Sequence, residues 1–215
     1  MALDRIPRFT AQLRRAIDLP ARHTTAQCSY APELAYGRHA GPAPRDARLG
    51  AVLVLFYPDP TDWNVVLTVR QSHLPTHAGQ VSFPGGKIEP NELPEAAALR
   101  EYEEEVGTHN DFTLLGRLPN VYVFASHFLV APCVAITERK PLFQPNAHEV
   151  ADVLTVSLSA LADPARRGEH LIVRGPVRFS APSFRLGSRH LWGATWLILG
   201  ELLERLEAIG PLHGW

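Results

Sequence analysis

The sequence predicts a mixed α/β (α+β) domain, one mixed β-sheet sandwiched between helices, and three features predict it. Short apolar, branched runs recur between Gly50 and Ser157, separated by proline- and glycine-containing breaks. A helical segment, Leu93 to Val106, interrupts these runs, and an amphipathic segment, Trp192 to Ile209, follows them. Finally, 46% of the 215 residues are hydrophobic, enough to build a substantial core, and a chain of this length needs only one domain.

Taken in order, Ile6, Phe9, Leu13 and Ile17 stand near helical spacing with Arg5, Arg8, Arg14 and Arg15 between them, which reads as an amphipathic helix docked on the domain. Asp4 and Asp18 argue against an organelle-targeting helix. Residues 19–48, rich in Pro, Ala, Arg and Gly, form a lead-in arm, so 1–48 is expected to be a helix and arm packed on a domain at 49–215. Ala51 to Tyr57 is a continuous branched run, as in a buried strand, and Pro58, Asp59, Pro60 and Asp62 turn the chain into a returning strand, Trp63 to Val69. Gln71 to Gln80 is polar loop. Val81 and Phe83 make a short strand that ends in a tight turn at Pro84-Gly85-Gly86. The Leu93–Val106 helix has Pro94 in its first turn and Gly107 just past its end. Further strands are expected at Phe112–Leu118, Phe128–Ile136 and Val150–Ser157, with a hairpin over 171–179 around Gly175-Pro176. Nineteen prolines, nearly twice the usual share of about 5%, lie mostly between these runs as loop punctuation.

Composition removes several function classes. The 21 Lys and Arg nearly balance the 22 Asp and Glu, for a net charge of −1, so no basic footprint for nucleic acid is expected. Cys28 and Cys133 are the only cysteines and lie in no Cys-x-x-Cys or Cys/His cluster, which supports neither a thiolate zinc site nor a disulfide framework. Two scattered thiols fit a reducing compartment, and cytoplasm is the expected location. No apolar run approaches the roughly 20 residues that cross a bilayer, and no signal-peptide core follows Met1. Nothing in the sequence specifies an oligomeric state.

The chemistry is concentrated between Gly86 and Gly107, GKIEPNELPEAAALREYEEEVG. On a helix, Glu101, Glu104 and Glu105 share a face. Like charges at that spacing repel, and the last turn carries the negative end of the helix dipole, so helix stability does not ask for them. Arg100 can pair with part of this group and Glu103 adds to its charge. A hard divalent cation such as Mg²⁺ or Mn²⁺ can neutralise the rest through carboxylate oxygens. The bland alternative is a solvated acidic helix end.

The spacing decides between them. Gly86, Glu92, Arg100, Glu101, Glu104, Glu105 and Gly107 fill every fixed position of a pattern that resembles the box of the Nudix hydrolases. Tyr102 and Thr108 depart from it, standing where aliphatic residues are usual, and bear on packing rather than on ligands. The resemblance implies the Nudix fold and hydrolysis of a diphosphate that links a nucleoside to another group. It implies Glu101, Glu104 and Glu105 as metal ligands, Arg100 as the residue that orients them and Glu92 as a support for the loop. The carbonyl of Gly85 is a further candidate ligand, because a backbone oxygen approaches a metal closely where the turn lacks bulk.

Upstream, residues 67–86, LTVRQSHLPTHAGQVSFPGG, resemble the extra motif of the coenzyme A pyrophosphatase branch at Leu67, Thr68, Arg70, Gly79, Phe83, Pro84, Gly85 and Gly86. Val66, Gln71 and Pro75 depart from it, and Pro75 replaces a positive residue with one that has no N–H to donate. His73, His77 or the arginines of the 38–48 arm are candidates for the missing charge. This second resemblance implies cleavage of coenzyme A to 3′,5′-ADP and 4′-phosphopantetheine, with substrate contacts from Arg70, His73, His77, Gly79 and Phe83. Arg suits bidentate phosphate contact; the plainer reading of Arg70 is a strand-end salt bridge. Glu149, just before a strand, is either a further ligand or base, or an ordinary surface carboxylate. Trp192 and Trp196 read as core anchors. Two rivals stand: another substrate, ADP-ribose or a dinucleotide, which Pro75 keeps open, and a non-catalytic binding module, against which the intact carboxylates argue.

Overall fold

The computed structural model describes residues 5–20, 30–32, 42–107 and 111–210. Cys28, Arg38 and Thr108, along with most of the expected arm, lie outside the described residues. Helix α1 spans Arg5–Asp18. Strands β1 (Arg48–Pro58), β2 (Trp63–Arg70), β3 (Val81–Ser82) and β4 (Gly85–Lys87) lead to helix α2 (Pro94–Val106). Then come β5 (Thr113–Arg117), β6 (Val121–Val123), β7 (Phe128–Ile136) and β8 (Val150–Ser157), and the short helix α3 (Leu158–Ala162). Strands β9 (Arg167–Arg174), β10 (Val177–Leu186) and β11 (Arg189–Trp192) precede the final helix, α4 (Gly193–Ile209).

Eight strands form one mixed sheet along β3-β2-β1-β7-β5, with β4 added to β1, β6 to β7 and β8 to β2. The β1–β7 pair is parallel, Leu53 opposite Cys133, and the other pairs are antiparallel. Parallel neighbours need a long crossover, and the chain between β1 and β7 contains α2. Alternate residues of β1 therefore face two different cores. Ala51, Leu53, Leu55 and Tyr57 pack with Ala97, Ala98, Tyr102 and Val106 of α2. Val54 and Phe56 join Phe9 and Leu13 of α1 and Trp196, Leu199, Leu202 and Leu206 of α4. Burial on both sides explains why β1 is apolar throughout rather than alternating.

The first and last helices hold each other. Phe9 stacks on Trp63 with ring centroids 4.1 Å apart. Arg205 of α4 is 3% exposed and donates to the carbonyls of Ala16, Ile17 and Leu19 at 3.1, 3.2 and 2.6 Å, while Glu201 holds its Nε at 2.6 Å. These carbonyls lie at the C-terminal end of α1, where a helix leaves acceptors without intrahelical partners.

Two expectations need correction. Beside the single expected sheet stands a second, three-stranded one, β11-β10-β9. Its strands extend the 171–179 hairpin in both directions, and Gly187, at φ 62°, turns the chain back into β11. Pro182 lies within the central strand, a place that proline ordinarily excludes. It is tolerated because β11 ends opposite Ser183, leaving Pro182 with a strand neighbour on one side only. The second correction concerns Gly85 and Gly86: with Lys87 they form strand β4, paired with Gly50–Val52, rather than a bare turn. A Cβ on Gly85 would collide with the Ala51 carbonyl and Val52, so the pairing requires glycine there.

Candidate active site

Helix α2 reaches the sheet through Ala97 and Ala98, whose small side chains let it lie close, and it stops where Gly107 takes the left-handed conformation at φ 83°. The loop that follows β7 then caps it. Gln144 N–H donates to the Val106 carbonyl at 2.8 Å and Asn146 N–H to the Glu105 carbonyl at 3.0 Å. Asn146 in turn accepts from the N–H groups of Glu149 and Val150, at 3.0 and 2.8 Å. Capping the helix thus fixes the backbone of Glu149 beside the acidic turn.

Arg100 organises the outer part of that turn. Its Nε donates to Glu92 Oε1 at 2.9 Å and its Nη2 to Glu92 Oε2 at 3.1 Å and to the Lys87 carbonyl at 3.0 Å. Its Nη1 reaches Glu101 Oε1 at 2.9 Å and both Glu104 oxygens at 3.3 Å. One guanidinium therefore ties the 87–92 loop to two carboxylates of the helix. Glu92 adds a bond from its own loop, accepting Glu89 N–H at 2.9 Å, and these bonds, Arg100 first, hold its carboxyl below the usual range. Gly86 leaves room for the Glu101 carboxylate, which a Cβ there would push aside.

Glu105 is a different case. It is 3% exposed, its Oε2 accepts Gly85 N–H at 3.3 Å, and its Oε1 lies 3.6 Å from Arg70 Nη1. Burial raises its pKa to about 7, against the pull of Arg70 and Gly85 N–H, and Glu101 and Glu149 push it the same way. Glu101 is also raised, by burial first, with Arg100 opposing and Glu104 and Glu149 adding to it. So Glu101, Glu105 and Glu149 feel one another's charge, and a full complement of carboxylates is uncomfortable without added positive charge.

The β2–β3 loop brings the upstream residues alongside. Arg70 ends β2 opposite Val150 of β8. Gly79, at φ 67°, donates to the Arg70 carbonyl at 3.1 Å, and Gln71 N–H donates to the Glu149 carbonyl at 2.8 Å. Arg70, Glu149 and Glu105 are thereby gathered at one corner. His77 and His73 are not drawn into it: His77 Nδ1 is 2.8 Å from Gln80 Oε1, and His73 is exposed on the loop. Phe83, expected to touch substrate, is 2% exposed and belongs to the core on the α4 side of the sheet, so its ring supports the turn into β4 and offers no contact surface. Arg48, one of the arm arginines considered as a stand-in for Pro75, donates to the Ser126 carbonyl at 2.6 Å and lies 4.2 Å from the Phe128 ring centroid. Trp196 is buried against Tyr30 and Phe184.

Sequence reading passed over Gln71 and Asn146, which join the loops to the helix. In the sequence Gln71 is only a departure from a motif; in the fold its side chain donates to the Ala147 carbonyl at 2.8 Å. Asn146 works mainly through its backbone, which leaves little trace in sequence.

The donor chemistry fits a hard divalent cation: carboxylates and the Gly85 carbonyl offer oxygen only, and among the described residues the cation facing buried Glu105 is Arg70, at 3.6 Å. Among the described residues, no three His, Cys, Asp or Glu side chains are already gathered as a cation cage. Arg100 and Arg70 hold the carboxylates instead, so cation binding would require those ion pairs to loosen.

The chain is similar to known proteins in sequence and in fold. A model of the NUDIX domain matches residues 47–173. The uncharacterized Nudix hydrolase NudL of Yersinia enterocolitica is 36% identical over 153 residues, covering 70% of this chain and 76% of its own. The mitochondrial Nudix hydrolase 15 of Arabidopsis thaliana is 38% identical over 128 residues, 57% of this chain and 44% of that one. The solved structure of the Nudix hydrolase RenU from M. smegmatis superposes with a TM-score of 0.53 at 19% identity, over 79% of this chain and 91% of that chain, a likeness of fold. With the domain model covering more than half of the chain and a relative matched over most of its length, this protein belongs to the NUDIX family of hydrolases.

Proposed function

We propose that the protein hydrolyses the diphosphate of coenzyme A, or of a close derivative, to 3′,5′-ADP and 4′-phosphopantetheine with Mg²⁺ or Mn²⁺. The observation that carries the chemistry is the buried Glu105, held beside Glu101 and Glu149 and facing Arg70. Glu101, Glu104, Glu105 and the Gly85 carbonyl would hold the cation. When bound, such a cation offsets phosphate charge and makes a water more acidic.

The chain's own residues do the rest. Arg100 keeps Glu101 and Glu104 oriented and ties them to Glu92. Glu149, whose backbone Asn146 fixes, is the candidate base for the attacking water. Arg70 meets the diphosphate, and Gly79 closes the loop that positions it. His73 and His77 lie on that same loop, where they can line the path of the longer part of the substrate. Support for coenzyme A in particular is the match of residues 67–86 to the branch motif, now seen as the strand and loop that deliver Arg70 to Glu105.

A rival, ADP-ribose or a dinucleotide, draws on Pro75, which is exposed on the loop and has no N–H to offer. The deciding experiment compares kcat/KM for coenzyme A and ADP-ribose with purified protein and Mg²⁺, with products identified by mass. Coenzyme A should be the better substrate and release 3′,5′-ADP; faster cleavage of ADP-ribose overturns the assignment.

A further inference from the structure

The two arginines at this site are used unequally. Arg100 distributes its donors over Glu92, Glu101, Glu104 and the Lys87 carbonyl. Among the described residues, Arg70 makes one ion pair, to Glu105 Oε1 at 3.6 Å, and its Nε is buried with no hydrogen-bond partner. Gly85 N–H already engages Glu105 Oε2, so Oε1 is the freer oxygen for a cation, and Arg70 lies beside it. A guanidinium and a divalent cation at one buried carboxylate oxygen repel strongly. A buried carboxylate with neither is costly. Glu105 therefore calls for one positive partner at a time.

We propose that Arg70 is the resident counter-ion of Glu105, displaced when a divalent cation binds there and then free to pair with the diphosphate, so that cation and diphosphate bind with positive coupling through Arg70. This rests on the reading of Glu105 as a metal ligand. The backbone of Arg70 is fixed by the Val150 pairing and the Gly79 bond, whereas its side chain is 25% exposed and has room to swing. Its unused Nε and planar fork suit two oxygens of a phosphate. By linkage, whatever the cation gains from the diphosphate the diphosphate gains from the cation. A simple phosphate clamp would behave differently, because it would leave cation affinity in the ligand-free protein untouched.

The test is Mn²⁺ binding, followed by the loss of the free-ion electron paramagnetic resonance signal, in wild type, Arg70→Gln and Arg70→Lys without nucleotide. Arg70→Gln should bind Mn²⁺ about fivefold or more tighter than wild type, at the lower end of ordinary coupling factors, and Arg70→Lys should stay near wild type. Methylenediphosphonate, corrected for the Mn²⁺ it binds alone, should tighten Mn²⁺ binding in wild type and do so less in Arg70→Gln. Unchanged or weaker Mn²⁺ affinity in a natively folded Arg70→Gln overturns the inference. So does absence of diphosphonate coupling in wild type, a measurement that stands even if the variant fails to fold. No Mn²⁺ binding by wild type overturns the metal reading and the inference together; binding without the Arg70 effect overturns the inference alone.

Discussion

Helices α2 and α4 lie against opposite faces of the eight-stranded sheet, yet they put their residues to opposite uses. Along α4, Thr195 through Gly200, Leu202, Leu203, Arg205 and Leu206 are buried, so the helix is enclosed on most sides by α1 and the two sheets. Its one buried cation, Arg205, has Glu201 and three carbonyls as partners. The buried set of α2 is small, mainly Ala97, Ala98, Tyr102 and Val106, and it includes the carboxylate Glu105, which Arg70 meets only at 3.6 Å. Arg205 places its Nε and Nη1 on Glu201 and the α1 carbonyls at 2.6–3.2 Å, with its Nη2 buried and unpartnered among the described residues, whereas Glu105 faces its cation across 3.6 Å. If the end of α2 carries the proposed chemistry while the larger buried apolar set lies on the α1–α4 side, the two should separate under mutation.

The sharpest separation comes from Glu105→Gln. We expect kcat to fall by about 10²-fold or more, the scale of losing a principal charged group at a reacting centre, while the melting temperature holds or rises because a buried charge is gone. A variant with wild-type turnover would remove Glu105 from the mechanism. The converse is Leu202→Ala, at a fully buried α4 position. It should cost about 3 kcal/mol in urea unfolding, within the usual range for such cavities, and leave kcat unchanged where the variant is folded. A smaller loss, about 1–2 kcal/mol, is expected from Arg205→Lys, because an ammonium cannot reproduce the fork that spans Glu201 and the α1 carbonyls.

The mildest effect is on pH dependence. Glu105 has a folded pKa near 7, above its unfolded value, so the fold binds this proton more tightly than the open chain. The resulting contribution is fully present below the unfolded pKa, about 4.3, and is lost as pH rises through 7. Thermal melts of chelator-treated protein should accordingly decline between pH 5 and 7.5, and the decline should be shallower in Glu105→Gln. Equal slopes in both proteins would show that another group sets the profile.

Much of this contrast was legible in the sequence. Phe128–Ile136 and Val150–Ser157 occupy the strands expected of them, and the helix ends at Gly107 as its residues dictate. Helical spacing alone predicts that Glu101, Glu104 and Glu105 share a face, but not that Arg100 holds the first two while Glu105 turns to Arg70. What sequence could not yield were features set by close approach and by distant partners. Strand β4 has two glycines and no strand propensity; it forms because a backbone without Cβ atoms can lie against Ala51 and Val52. Phe83 sits in a motif associated with substrate, yet its ring faces the core, since a motif records position and not direction. The third strand of the small sheet was hidden behind Pro182, whose tolerance depends on where β11 stops. The pairing of Arg70 with Glu105 joins residues 35 positions apart, and nothing local announces it.

The central claim is that the acidic end of α2 exists to hold a cation against a diphosphate. A crystal structure of the protein grown with Mn²⁺ tests it most directly, through the anomalous signal of the metal. We expect a peak coordinated by Glu101, Glu104 and Glu105, with the Gly85 carbonyl beside it and Arg70 drawn away from Glu105. A Mn²⁺-saturated crystal with no peak at that corner, and both arginines still paired as they are now, would contradict it.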